Sequence, residues 1–126
     1  MISFFVNGKP ATKGSWKVTR NGALRPDSER ERPWANAVAW MAKSVGAKPT
    51  DKPVKVALQF FFAKPKNPSN PFPSRSDVDK LSRSLLDALT GIAWNDDRQV
   101  VDLHATKDYA DERGPGVAVW ITAVSP

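Results

Sequence analysis

Residues 75–102 read RSDVDKLSRSLLDALTGIAWNDDRQVVD, and this stretch decides the fold. Val78, Leu81, Leu85, Ala88, Leu89 and Ile92 recur at helical spacing, so a helix is predicted over 77–90, with Gly91 as its stop. The WNDDR segment that follows carries turn residues. Residues 98–107 then return to a strand pattern, with Val101, Leu103 and Ala105 expected on the core side. The same stretch holds Asp77, Asp79, Asp87, Asp96, Asp97 and Asp102, six of the thirteen acids of a chain whose formal net charge is +6. Carboxylates at this density repel one another unless a cation sits among them.

Outward from this unit the chain alternates strands and helices. Residues 2–7 resemble a first strand, and the glycine- and proline-punctuated segment after it suggests a short hairpin around residues 16–24. Trp34, Ala37, Val38, Met41 and Val45 form one apolar stripe, which predicts a helix over 29–45, capped by Asp27 or Ser28 and ended by Gly46. Trp34 and Trp40 are expected to pack, and Trp94 to pin the WNDDR turn. Residues 53–62, PVKVALQFFF, alternate as a strand with Val54, Val56, Leu58, Phe60 and Phe62 on one face. Prolines 65, 68, 71 and 73 exclude helix and central strand from the next segment, which reads as a long, mobile, basic loop. Residues 117–124 make a last strand. The order β, hairpin, α, β, α, β, β predicts an α+β fold: a small mixed sheet with two α-helices packed on one face, in one domain spanning residues 1–126.

The composition narrows the function. With no cysteine and one histidine, His104, disulfides, thiolate metal sites and a zinc centre of the usual kind are excluded, and oxygen is the only plentiful ligand. His104 falls on the less apolar face of its strand and reads as a surface residue. No run of about eighteen apolar residues could span a bilayer, and the first residues show no signal-peptide pattern, so a cytoplasmic protein is expected. The charge is uneven: residues 1–76 carry a net +10, residues 77–126 a net −4. A basic chain with a local acidic knot suits a polyanion binder holding a cation. A basic soluble domain with a solvated acidic face explains the same numbers.

Asp77-Val78-Asp79 taken alone is explained by helix capping and the helix dipole. At a loop–helix junction, however, the two side chains can converge, and the turn after the helix could bring Asp96 or Asp97 to them. Asp79, Arg83 and Asp87 follow at i, i+4 and i+8, opposite the apolar face, so Arg83 is placed either to pair these acids or to meet a phosphate. Several carboxylates with water and substrate phosphate form the ligand set magnesium prefers.

Residues 76–107, SDVDKLSRSLLDALTGIAWNDDRQVVDLHATK, resemble the signature of RusA-type Holliday junction resolvases: D-x-D, a helix with D-A-L, then D-D and a strand ending in lysine. The VNGKPATKGSWK segment and the helix at Trp34 are similar more weakly. The resemblance implies a small homodimeric endonuclease that uses magnesium or manganese, takes no small-molecule cofactor, and cuts four-way and other branched DNA, often phage- or prophage-encoded. It implies Asp77, Asp79 and Asp97 as the metal-binding acids, with Asp96 open as an alternative to Asp97. Arg83 stands where the family has a catalytic lysine, and Lys80 where it has asparagine. Arginine keeps the charge but is a poor proton donor, so electrostatic stabilisation is the role expected of it. Between Asp87 and the D-D pair the chain is one residue shorter than the family pattern. Lys13, Lys17, Arg25, Arg75 and Lys107 are the expected DNA contacts, and Phe72 in the proline-rich loop is a candidate wedge for an open junction.

Two further readings are weighed. A non-catalytic junction- or DNA-binding phage protein could retain the fold, as Lys80 and Arg83 suggest. A D-x-D sugar-nucleotide transferase ranks last, because the chain is short and lacks a glycine-rich phosphate loop.

Overall fold

The computed structural model describes residues 1–12, 16–18, 22, 24–26, 31–74 and 76–124. A four-stranded mixed sheet is built from β1 (Ile2–Asn7), β4 (Val54–Phe62), β5 (Val100–Tyr109) and β6 (Gly116–Ala123), in the order β1-β6-β4-β5. β6 runs antiparallel to both its neighbours, whereas β4 and β5 are parallel and joined through a helix. β2 (Trp16–Val18) and β3 (Leu24–Pro26) form a separate antiparallel hairpin. Two helices complete the α+β fold: α1 (Glu31–Ser44) and α2 (Val78–Leu89).

Both helices cover one face of the sheet. Trp34, Val38 and Ala42 of α1 and Leu81, Leu85 and Leu89 of α2 share one core with Val54, Val56, Leu58 and Phe60 of β4. The strict alternation of β4 puts these four residues on the helix side. The apolar stripe of α1 is displaced from the expected one: Ala42 is fully buried, whereas Val45 lies past the helix end and is exposed. Trp40, expected to pack, is 67% exposed. It lies about 240° around the helix from Trp34 and so points away from the sheet. The helix ends as the sequence suggests. Gly46, at φ +91°, donates to the Lys43 carbonyl and Ala47 to the Ala42 carbonyl, a double bond pattern that serves the last orphan carbonyls. The caps expected at Asp27 or Ser28 lie outside the described residues.

β5 departs from the expected alternation. The β4–β5 pairing steps from Val54↔Val100 directly to Lys55↔Asp102, so Val101 is an extra residue. Val100 therefore packs against the core, Val101 is 62% exposed, and Leu103, Ala105, Lys107 and Tyr109 face the helices. Leu103 is still 44% exposed, because β5 is an edge strand and an open cleft lies above it. On the opposite face of the sheet, His104 is exposed, as its sequence position implies.

The proline-rich segment is tethered. Its four prolines have no N–H to offer, and its carbonyls are met by side chains of β5. The Tyr109 hydroxyl donates to the carbonyls of Asn70 (2.8 Å) and Phe72 (3.0 Å), and the Lys107 ammonium donates to that of Ser76 (2.6 Å). Phe72 itself is 52% exposed.

Candidate active site

α2 begins where the proline-rich segment ends. Asp77 is its extended N-cap residue, and the Leu81 N–H closes the first turn on the Asp77 carbonyl. The Asp77 side chain makes no capping bond; its carboxylate lies 3.6 Å from the Lys80 ammonium, both groups being exposed. From this start α2 buries Leu81, Leu85 and Leu89 and turns Asp79, Arg83 and Asp87 outward along one side. Eight residues of helix separate Asp79 from Asp87, about 12 Å along the axis.

These three side chains form one wall of a cleft of about 470 Å³, together with Val78, Ser82 and Leu86. Leu103 and Ala105 of β5 supply the floor. Asp97 completes the lining from the turn that follows α2. The cleft therefore holds three carboxylates and one guanidinium over an apolar floor.

The position of Asp97 is set by neighbours that the acidic pattern alone does not reveal. Trp94 is fully buried and donates its indole N–H to Thr90 Oγ1 (3.1 Å), while that hydroxyl donates to the Leu86 carbonyl (2.9 Å). The turn is thus fastened to the end of α2, as expected for Trp94. Residues 97–99 then make a single 3-10 turn, Asp97–Gln99, capped by Asp96. Asp96 Oδ1 accepts from the Arg98 backbone N–H (2.9 Å) and lies 3.2 Å from the Arg98 guanidinium. These contacts, the backbone bond first, hold its carboxyl below the usual carboxylate range. Gln99 closes the capping box: its Oε1 accepts from the N–H groups of Asn95 (2.9 Å) and Asp96 (2.8 Å). Its Nε2 donates to the carbonyls of Thr50 (2.7 Å) and Lys52 (2.9 Å), tying the turn to the segment before β4. The signal for Gln99 in the sequence is the D-x-x-Q spacing of the capping box, not its charge.

The structure thus brings Asp79, Arg83 and Asp97 to one cleft, adds Asp87, and leaves Asp77 outside the lining, beside Lys80. Asp96 is engaged as a cap. Among the described residues no three acids or histidines are gathered closely enough to hold a metal ion between them; the carboxylates line walls rather than meet at a point. Every candidate donor is nevertheless a hard carboxylate oxygen, the chemistry that suits magnesium or manganese. Of the expected DNA contacts, Lys107 is turned to the Ser76 carbonyl. The backbones of Lys17 and Arg25 are register partners in the β2–β3 hairpin. The side chains of Lys17 and Arg25, and all of Lys13 and Arg75, lie outside the described residues. No helix among the described residues is long and apolar enough to cross a membrane.

A family model described as Endodeoxyribonuclease RusA matches residues 7–122, nearly the whole chain. The chain is also similar to the uncharacterized protein YqaN of Bacillus subtilis (strain 168), with 29% identity over 140 aligned positions that cover 98% of this chain and 97% of that protein.

Proposed function

Since the chain belongs to the RusA endodeoxyribonuclease family, we propose that it is a magnesium-dependent, structure-selective endonuclease that resolves four-way and other branched DNA junctions by hydrolysing phosphodiester bonds. The observation that carries this reading is the shared cleft: Asp79 and Arg83 from α2 and Asp97 from the following turn line one space, although 18 residues of sequence separate the two acids. Manganese is the expected substitute ion.

Asp79 and Asp97, which line the cleft, and Asp77, the residue before α2, are the residues that would hold the divalent ion, which would have to draw them together; its charge would supply Lewis-acid activation of water and of the phosphate. The chain's own groups do the rest. The carboxylates at the cleft orient the attacking water by accepting its hydrogens. Arg83 faces the phosphate and stabilises the extra negative charge that develops as water adds to phosphorus. Its guanidinium stays protonated, so it acts as a fixed charge rather than a proton donor. Lys13, Lys17, Arg25 and Arg75 are the residues taken to contact DNA phosphates, which would make binding fall steeply with salt. Two cuts on a two-fold junction call for two active sites, hence a homodimer.

The Lys80–Asp77 contact favours a second reading, a DNA-binding relative without catalysis, because a protein cation already sits beside one of the acids. Incubation of the protein with a synthetic four-way junction separates the two. Paired nicks in magnesium or manganese support the nuclease; tight binding without cleavage in either ion supports the binder.

A further inference from the structure

The described part of the cleft leaves one basic residue of the sequence motif unexplained. Lys107 lies two residues before the end of β5, the strand that follows the D-D pair, where a lysine in a DNA-binding chain suggests a phosphate contact. Its register says otherwise. It stands opposite Phe60, which is fully buried, and so lies on the helix-facing side of β5 with Leu103 and Ala105, the floor of the cleft. Its ammonium donates to the Ser76 carbonyl, at 2.6 Å. Ser76 directly precedes Asp77. Two residues further along the same face, Tyr109 donates to the carbonyls of Asn70 and Phe72. Consecutive inward side chains of the edge strand thus serve three carbonyls of the segment that delivers the chain to α2.

We propose that Lys107 is a positioning residue: by holding the Ser76 carbonyl it fixes the loop–helix junction, and with it Asp77 and Asp79, against the β5 floor of the cleft. Its contribution lies in this anchoring and not in contact with DNA. The proposal rests on the nuclease reading for its catalytic consequence but not for the anchor itself. An ammonium hydrogen-bonded to a carbonyl on a half-buried path is a charge-assisted contact, stronger than a neutral one. Among the described residues the junction it holds has few other side-chain restraints, since Asp77 makes no capping bond and its contact with Lys80 is exposed. Displacement of a reacting group by about 1 Å can reduce a rate by about 10²-fold.

The test compares Lys107→Met, Lys107→Arg and the unaltered protein. Three readouts are used: amide hydrogen exchange of residues 76–81, the salt dependence of junction binding without divalent ions, and cleavage kinetics. Lys107→Met is expected to accelerate exchange at 76–81 at least tenfold while exchange at core strand β6 stays unchanged. The salt slope should be unaltered. The kcat should fall by about 10- to 100-fold with KM within about twofold. Lys107→Arg, which keeps a donor and the charge, should restore most of the exchange protection and rate. A salt slope reduced by about one unit in Lys107→Met, with kcat preserved, would assign Lys107 to a phosphate and overturn the proposal. Unchanged exchange at 76–81 would overturn it as well. If the unaltered protein cleaves nothing, the exchange comparison still decides the anchor, so failure of the nuclease reading and failure of the anchor are distinguishable.

Discussion

The Lys80 ammonium lies 3.6 Å from the Asp77 carboxylate, three residues earlier, at the start of the helix whose Asp79 lines a cleft with Asp97. A lysine here competes with any divalent cation for Asp77. The pair is exposed, so the competition is weak and fades with salt. Lys80→Asn, which installs the residue the family pattern carries, is expected to lower the magnesium concentration for half-maximal cleavage by about two- to fivefold, within the range of exposed ion pairs. A magnesium titration of junction cleavage measures this; an unchanged midpoint would show that Lys80 does not oppose the ion.

Asp96 and Asp97 are adjacent in sequence but differently employed. Asp96 is bound to the Arg98 backbone as a cap, and Asp97 faces the cleft. Asparagine caps as well as aspartate. Asp96→Asn should therefore leave cleavage within about threefold of the unaltered protein, whereas Asp97→Asn should reduce it by about 10² or more. The reverse ranking would move the catalytic acid to Asp96.

Asp96 also makes stability depend on acid. Its folded-state carboxyl is held below the ordinary value, so folding is stabilised above the unfolded carboxylate range. That contribution is lost as pH falls through the folded value. Thermal unfolding between pH 6 and pH 2.5 should show the unaltered protein losing stability relative to Asp96→Asn only at the acid end. A constant difference across the range would mean that the cap bond does not depend on ionisation.

Gln99 makes four hydrogen bonds, two within the D-D turn, to Asn95 and Asp96, and two that join the turn to Thr50 and Lys52. Gln99→Ala leaves backbone groups without partners and should cost about 2 kcal/mol of stability. Cleavage should fall further than stability does, because Asp97 leads into the same turn. The melting temperature and the cleavage rate of the variant, measured well below its transition, separate the two effects. A loss of stability with full activity would mean that Asp97 is held by other contacts.

Much of this architecture was legible in the residues. The stripe of Leu81, Leu85 and Leu89 defines α2, the alternation of residues 54–62 defines β4, and Gly46 marks the end of α1. Such signals are local, set by the period of each element. What escaped was non-local. The extra residue at Val101 depends on how β5 pairs with β4, and no pattern within β5 declares it. Trp40 carries an apolar side chain whose exposure depends on the direction α1 presents to the sheet. The tether on the proline-rich segment comes from Lys107 and Tyr109, more than thirty residues away. At the cleft, the sequence order placed Asp79, Arg83 and Asp97 on consecutive elements, and the turn built by Trp94 and Gln99 decides which member of the D-D pair faces inward.

The account depends on acids of α2 and of the turn after it acting together on DNA. The most direct measurement is cleavage of a synthetic four-way junction in magnesium by the unaltered protein, Asp79→Asn and Asp97→Asn, with junction affinity measured in parallel. The expected result is paired incisions by the unaltered protein, losses of about 10² or more in both variants, and junction binding preserved or tightened as negative charge is removed. Cleavage by Asp97→Asn at the rate of the unaltered protein, or no cleavage by the unaltered protein in magnesium or manganese while it binds the junction, would contradict the account.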